Sequence, residues 1–254
     1  MSDYAWLAAA LFLPLFPFSM AFSVLARRLR GAWSRALLLL VWPQCGLWLL
    51  HALNGSDVPR WILPWAVMSA LLYAFRAIPL RDAGLWQAYL SVSIGGVVWL
   101  LIGTVDGLAI ELVTLALTLP LALLSLLTGE IEKRFGAAYA GLQGGMARRQ
   151  PRLAGVFAVS MLAVIATPVF PGFFALLAST MAFVGLSPWL AAALLLVWLL
   201  WTWSGMRLLS GLLTGPVSRS AQQAGDLSQP LTMAYAGALL ALALAGLALA
   251  GRLL

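Results

Sequence analysis

The chain has 254 residues, of which 63% are hydrophobic and 9% charged, with a formal net charge of +7. A soluble domain is usually about one quarter charged, so this composition excludes a soluble globular protein and indicates an integral membrane protein. The net positive charge is explained by basic cytoplasmic loops, so we expect no nucleic-acid partner. Cys45 is the only cysteine, which excludes an intramolecular disulfide.

Apolar runs bounded by charge, proline or glycine predict an all-α fold, a polytopic transmembrane bundle of about nine helices. The first run has its arginines after it rather than before it, which favours a retained helix over a cleaved signal. The predicted spans are 6–26, 36–53, 61–79, 85–103, 107–128, 153–168, 171–186, 188–209 and 231–251.

Alternating these nine spans from an outside N-terminus gives a strong charge asymmetry. The cytoplasmic set would contain Arg27, Arg28, Arg30, Arg35, Arg76, Arg81, Lys133, Arg134, Arg148, Arg149, Arg152 and Arg252. Only Arg60, Arg207 and Arg219 would lie outside. The positive-inside rule therefore predicts that the C-terminus and loop 129–152 are cytoplasmic and that loop 214–230 is external. We expect a multi-pass protein of a bacterial-type inner membrane.

Tryptophans near span ends are typical of the belt at the membrane interface. This prediction covers Trp6, Trp33, Trp61, Trp65, Trp86 and Trp189. The more central Trp198, Trp201 and Trp203 are expected to face lipid or a partner helix.

Ionisable residues within the spans are few, although an intramembrane charge is the usual pointer to function. Glu111 is the only acid clearly within an apolar segment. It is either a protonatable group in an ion path or an interfacial carboxylate that pairs with a neighbour. Arg76 is long enough to anchor a span end. His51 is expected to be an interfacial polar residue rather than a proton relay.

No enzyme motif emerges from the sequence. It contains no histidine cluster, no GxSxG and no phosphate-cradling loop. We therefore predict no catalytic site, no cofactor and no metal.

Prolines and glycines that interrupt helices give more information about function than catalytic motifs do. The run TPVFPGFF places Pro168, Pro171 and Gly172 between two predicted spans, and Pro120 falls midway through span five. Proline removes an intrahelical hydrogen bond, which a membrane tolerates only where protein or water satisfies the freed carbonyl. Broken helices of this kind are frequent in transporters, although small residues nearby also fit simple close packing.

Residues 82–96, DAGLWQAYLSVSIGG, resemble a run of the antiporter-like membrane subunits of respiratory complex I, membrane-bound hydrogenases, Mrp antiporters and inorganic-carbon uptake complexes. The family pattern is approximately D-[IL]-K-R-L-[LI]-A-Y-[ST]-S-V-S-[HQ]-[ML]-G. The matched residues of this run are Asp82, Ala88, Tyr89, Ser91, Val92, Ser93 and Gly96. Downstream landmarks match at Gly129, Arg134, Tyr139, Gly141, Leu142, Pro151, Pro171, Gly172 and Phe173.

The resemblance implies an antiporter-like half-repeat over 61–254, preceded by two unmatched helices in 1–60. It also implies a proton relay of lysine, histidine and glutamate, but this chain departs from the pattern at those positions. Gly84 and Leu85 replace the Lys-Arg pair, and Ile94, Leu117 and Leu176 stand where titratable residues are usual. The relay roles therefore do not carry over.

Three hypotheses follow. The chain is a structural or coupling subunit of a hetero-oligomeric ion-translocating membrane complex. Alternatively, it conducts protons or sodium through Glu111, Tyr89, Ser91, Ser93, Thr114, Thr118 and ordered water. A third possibility is an assembly or scaffold protein without a transport role.

Overall fold

The computed structural model describes residues 3–29, 31–52, 59, 61–104, 109–141, 145–214 and 225–253, and they form an all-α bundle, as predicted. The helices are α1 Asp3–Phe12, α2 Ser19–Arg28, α3 Ala32–Ala52, α4 Ile62–Ala77, α5 Ala83–Thr104, α6 Ile110–Phe135, α7 Met146–Arg149, α8 Pro151–Val164, α9 Pro171–Leu186, α10 Pro188–Leu213 and α11 Gln229–Leu253. Five of them, α3, α5, α6, α10 and α11, contain segments long and apolar enough to cross a membrane.

The first predicted span, 6–26, is not one continuous helix. Residues 13–18 separate α1 from α2, and this interruption contains Pro14 and Pro17, neither of which can donate a backbone hydrogen bond. Side chains of other helices form hydrogen bonds with the backbone of this interruption. Trp99 donates its indole N–H to the carbonyl of Leu13 at 2.9 Å, and Ser69 accepts the N–H of Phe16 at 3.1 Å.

The second interruption lies between α8 and α9, where Pro168 and Pro171 predicted a broken helix. The backbone φ angle is positive at Ala166 and Val169. Trp198 of α10 donates its indole N–H to the carbonyl of Ile165 at 3.1 Å. This bond satisfies one of the carbonyls that lose their helical donor at the break.

The helices α8 and α9 form one crossing rather than the separate sixth and seventh spans that the sequence predicted. Both lie along α10, which turns back directly after α9 at Ser187. Trp198 of α10 contacts the break, and an added Cβ at Gly205 would lie 2.5 Å from the Ile165 side chain, towards α8. Because two short helices end to end make one crossing, every later element changes side relative to the prediction.

One end of the bundle, which we call the basic end, is where α2, α4, α6 and α10 finish and α3, α5, α8 and α11 begin. Backbone contacts tie these ends together: Ala140 donates to the carbonyl of Arg81 at 2.8 Å, and Gly141 to that of Gly211 at 3.1 Å. Among the basic residues that the structure describes, eleven lie near this end: Arg27, Arg28, Arg35, Arg76, Arg81, Lys133, Arg134, Arg148, Arg149, Arg152 and Arg207.

The prediction that loops 129–152 and 214–230 lie on opposite sides was wrong for the residues described. Asp226 accepts the backbone N–H groups of Arg152 and Leu153 at 3.0 and 3.1 Å, so the segment before α11 lies at the start of α8. Arg207 accordingly joins the basic end, and α11 runs away from it, so the end of α11 lies opposite loop 129–152, whereas the prediction placed both on one side.

Helix α5 lies at the centre of the bundle, packed most extensively against α4. Gly96 permits this contact, because an added Cβ would lie 2.8 Å from the carbonyl oxygen of Ala66 and 2.9 Å from the Cβ of Ala70. Trp86, which the sequence placed in the interface belt, is fully buried and donates to Ser204 of α10 at 3.0 Å. Trp6 is buried against Trp99, whereas Trp33 and Trp189 are exposed.

Candidate functional site

A polar crevice with a volume of about 490 Å³ opens at the basic end, between α2, α3, α5 and α6. Its charged and polar lining residues are Arg27, Arg35, Asp82, Gln87, Glu132 and Tyr139. Ala26, Leu29, Leu38, Leu39, Gly84, Leu85 and Ala88 complete the wall. The stretch that carries the sequence resemblance therefore forms one side of this crevice.

An ion pair crosses the crevice from α3 to α6. Both terminal nitrogens of Arg35 donate to the two carboxylate oxygens of Glu132, one of them at 2.7 Å. Their side chains are only 14% and 27% exposed, so the pair is largely shielded from water. Bidentate pairing of this kind is among the strongest hydrogen-bonding arrangements in proteins.

Two glycines make room for this pair. An added Cβ at Gly84 would lie 3.1 Å from Nη1 of Arg35, 3.3 Å from the Asp82 carboxylate and 3.9 Å from that of Glu132. An added Cβ at Gly129 would overlap the Cβ of Ala32 at 2.2 Å. The guanidinium of Arg35 therefore lies beside position 84, where the resembled family carries lysine.

The remaining polar groups of the crevice differ in how far they are satisfied. Gln87 is 1% exposed and donates its side-chain amide to Thr128 at 2.7 Å. Asp82 accepts the N–H of Leu85 through one carboxylate oxygen at 2.9 Å, which caps the start of α5. Arg27 is exposed and has no carboxylate within 4.0 Å among the described residues.

The predicted ion-path residue Glu111 does not lie in this crevice. It begins α6 at the opposite end of the bundle, where its carboxylate is 3.4 Å from Nδ1 of His51. The two side chains are 48% and 74% exposed. Glu111 thus has a neighbouring partner at a span end, an arrangement that fits the interfacial alternative.

The predicted hydroxyls are mostly bonded within or between helices. Thr114 donates to the carbonyl of Ile110 and Thr118 to that of Thr114, each at 2.8 Å. Ser93 joins two other helices, since it donates to Ala70 of α4 at 2.7 Å and accepts the indole N–H of Trp201 at 2.9 Å.

Ser91 and Tyr89 have different surroundings. Ser91 is 1% exposed, and its hydroxyl forms no hydrogen bond with a described residue. Tyr89 accepts a long hydrogen bond of 3.4 Å from Arg76, whose guanidinium also lies 5.3 Å from the Tyr89 ring centroid. Arg76 is exposed near the end of α4, as an anchoring arginine should be.

The candidate residues do not converge on one site. Because Gln87 bonds to Thr128, Ser91 lies one turn deeper at the level of residue 124 on α6. Thirteen residues of α6 then separate this level from Glu111, about 20 Å at 1.5 Å per residue. The structure brings Ser93 and Trp201 together but leaves Glu111 at the far end.

The positions where relay groups are absent lie in the apolar core. Ile94, Leu117 and Leu176 are at most 2% exposed. An added Cβ at Gly172, just after the break, would lie 3.5 Å from the carbonyl of Ala116 and 3.6 Å from the Leu117 side chain. Pro120 cannot donate to that carbonyl in the usual helical manner, so Gly172 lies beside a carbonyl of α6 that lacks its usual intrahelical donor.

The sequence did not single out the ion pair of Arg35 and Glu132. Arg35 was counted only as a topological charge, and Glu132 lies in the charged run GEIEKR at the end of α6. Their pairing joins residues 97 apart, for which no local pattern exists. Within the described part of the chain, no group of acidic, histidine or cysteine side chains is arranged to hold a metal ion.

No family model and no curated protein matches this chain, but its fold is found in solved membrane complexes. A chain of respiratory complex I from Thermus thermophilus with bound NADH is 23% identical, with a TM-score of 0.84 over 94% of this chain and 53% of that chain. A chain of the Mrp complex from Dietzia sp. DQ12-45-1b is 21% identical, with a TM-score of 0.66 over 84% of this chain and 42% of that one.

A third similar chain belongs to the membrane-bound sulfane sulfur reductase, an archaeal respiratory membrane complex. It is 18% identical, with a TM-score of 0.71 over 83% of this chain and 38% of that chain. The present chain therefore spans about half the length of the chains it resembles, or less. The predicted resemblance to antiporter-like membrane subunits is confirmed at the level of the fold.

Proposed function

We propose that this chain is a membrane subunit of a multi-subunit ion-translocating complex, of the complex I-like or inorganic-carbon uptake type, with a structural or coupling role. The fold likeness to chains of respiratory and antiporter complexes supports the general kind of protein. The concentration of basic residues at one end supports a cytoplasmic position for that end in a bacterial-type inner membrane.

One observation carries the structural role. The interior positions that would hold relay groups are occupied by Ile94, Leu117 and Leu176, all buried among apolar side chains. A proton relay needs titratable groups within reach of one another, or of a chain of water molecules, across the membrane. An interior of leucine and isoleucine supplies neither, so any ion path in such a complex would use a sister subunit.

Co-purification tests this role. The tagged full chain would be extracted from its native membrane in a mild detergent and analysed by mass spectrometry. We expect other polytopic membrane subunits in stoichiometric amounts. A chain that runs alone as a stable monomer, after extraction that keeps known membrane complexes intact, would contradict the proposal.

A conducting role through Glu111 is the alternative, because Glu111 belongs to Ile110–Phe135, a segment long and apolar enough to cross a membrane, although its contact with exposed His51 fits an interfacial position better. Glu111→Gln in the reconstituted complex separates the two roles. We expect unchanged ion-driven activity if the chain is structural, with Glu130→Gln at the basic end as the matched control. A selective loss in Glu111→Gln would favour conduction, and a complex that works equally well without the chain would favour an assembly factor.

A further inference from the structure

The crevice at the basic end contains two charges of opposite sign that the fold itself leaves available. Arg35 and Glu132 are paired with each other, whereas Arg27 has no carboxylate within 4.0 Å in the described chain. Asp82 lines the crevice, and among the described residues only one of its carboxylate oxygens accepts a hydrogen bond, from the N–H of Leu85. A ligand that satisfies both sites needs an anionic group and a cationic hydrogen-bond donor.

The wall of the crevice is amphipathic. Ala26 and Leu29 line it from the end of α2, and Leu38 and Leu39 line it from α3. Leu38 and Leu39 extend this wall from Arg35 into α3. Basic residues at the ends of membrane helices commonly lie near the lipid headgroups. A ligand with a dipolar head and an apolar continuation matches this lining better than a free ion does.

We propose that the crevice binds the headgroup of a zwitterionic aminophospholipid, with its phosphate on Arg27 and its primary ammonium on Asp82. Tyr139 and Gln87 line the same space and offer further polar contacts. The volume of about 490 Å³ lies within the usual range for small-molecule sites and accommodates a phosphoethanolamine group with the start of its glycerol. This site does not depend on the ion-translocating role proposed above.

The chemistry predicts a specific order of lipid preference. Phosphatidylethanolamine carries three N–H donors on its ammonium group, whereas phosphatidylcholine carries none and phosphatidylglycerol has no cation. Only the first satisfies both Arg27 and Asp82 with charge-assisted hydrogen bonds. General electrostatic attraction to a basic surface would instead favour phosphatidylglycerol.

Lipid retention measured by native mass spectrometry tests this order. The full chain would be extracted from vesicles that contain equal amounts of the three lipids. We expect phosphatidylethanolamine to be retained about fivefold over either competitor, which corresponds to the loss of one hydrogen bond or charge contact. Equal retention of all three lipids, or preferred retention of phosphatidylglycerol, would overturn the proposal.

Matched variants locate the site. Arg27→Gln should lower the retention of all three lipids, because each carries the phosphate that Arg27 would bind, whereas Arg28→Gln, the same charge change on an exposed neighbour that does not line the crevice, should leave retention intact. Asp82→Asn keeps an oxygen that can cap α5 but removes the anion that would pair with the ammonium group, so it should abolish the preference for phosphatidylethanolamine over both competitors. Equal effects of the two arginine variants would refute the site.

Free phosphoethanolamine provides the final comparison. It carries the same charged groups without the acyl chains that the apolar wall would contact. We expect it not to displace the lipid at an equal concentration. If it does compete equally, the crevice takes a soluble aminophosphate and the lipid assignment is wrong.

Discussion

The ion pair between Arg35 and Glu132 gives the sharpest quantitative prediction. Both Arg35→Gln and Glu132→Gln should destabilise the bundle by about 2 kcal/mol, because each leaves a largely shielded charge without its partner. The exposed fractions of 14% and 27% place this pair between a surface salt bridge and a fully buried one. The double variant should cost less than the sum of the single variants, with a coupling energy of about 1–2 kcal/mol.

Equilibrium unfolding in mixed micelles of a mild detergent and sodium dodecyl sulfate, followed by circular dichroism, measures these changes. Lys133→Gln on the same helix is the control, since Lys133 is 68% exposed in its pair with Glu130 and should contribute about 0.5 kcal/mol or less. Additive single variants would show that the pair is not coupled. Arg35 would then be a basic residue at the end of a span that does not stabilise the bundle through Glu132.

Three further predictions concern packing and sidedness. Gly96→Ala should destabilise the bundle by about 1–3 kcal/mol, because the added Cβ would lie 2.8 Å from the carbonyl oxygen of Ala66 in α4. Gly155→Ala is the control. Its added Cβ would have no atom within 4 Å, so it should be neutral or slightly stabilising in the same unfolding assay. Trp201→Phe should cost about 1 kcal/mol through the lost bond to Ser93, whereas Trp203→Phe on the exposed face should cost little. In a Cys45→Ala background, Arg149→Cys and Ser228→Cys should be labelled from the same side of the membrane and Trp189→Cys from the other. Labelling of Arg149→Cys and Ser228→Cys from opposite sides would contradict the arrangement of α8 and α11.

Local sequence signals predicted the helical class well but misjudged how helices combine into crossings. The apolar segments around α5, α6 and α10 are long enough to be recognised from length and composition alone. The break at Pro168 and Pro171 was also predicted, because proline disrupts a helix wherever it occurs. Whether the chain then turns back or continues depends on contacts with α10, such as Trp198 to Ile165, which have no local signal.

The error in sidedness has the same origin. Asp226 lies in a polar loop that reads as a simple connection, yet its carboxylate accepts two N–H groups at the start of α8, 73 and 74 residues away. The charge distribution does not distinguish the two topologies. The predicted nine-span topology already has an excess of basic residues on one side, and moving Arg207 to the basic end increases that excess. The positive-inside rule compares the summed lysine and arginine counts of the two sides, so it is a weak test of where any single loop lies.

Three polar side chains of the stretch 80–96 are accounted for by the central position of α5. The bonds join Trp86 to Ser204 of α10, Gln87 to Thr128 of α6 and Ser93 to Ala70 of α4. Interhelical hydrogen bonds in membrane proteins contribute about 0.6 kcal/mol each on average, so the three together contribute about 2 kcal/mol. Each also fixes α5 against a different helix, which a purely apolar interface does less specifically. Since Ile94 within the same helix is buried among apolar residues, the stretch retains the contacts that hold a bundle together where titratable groups are absent.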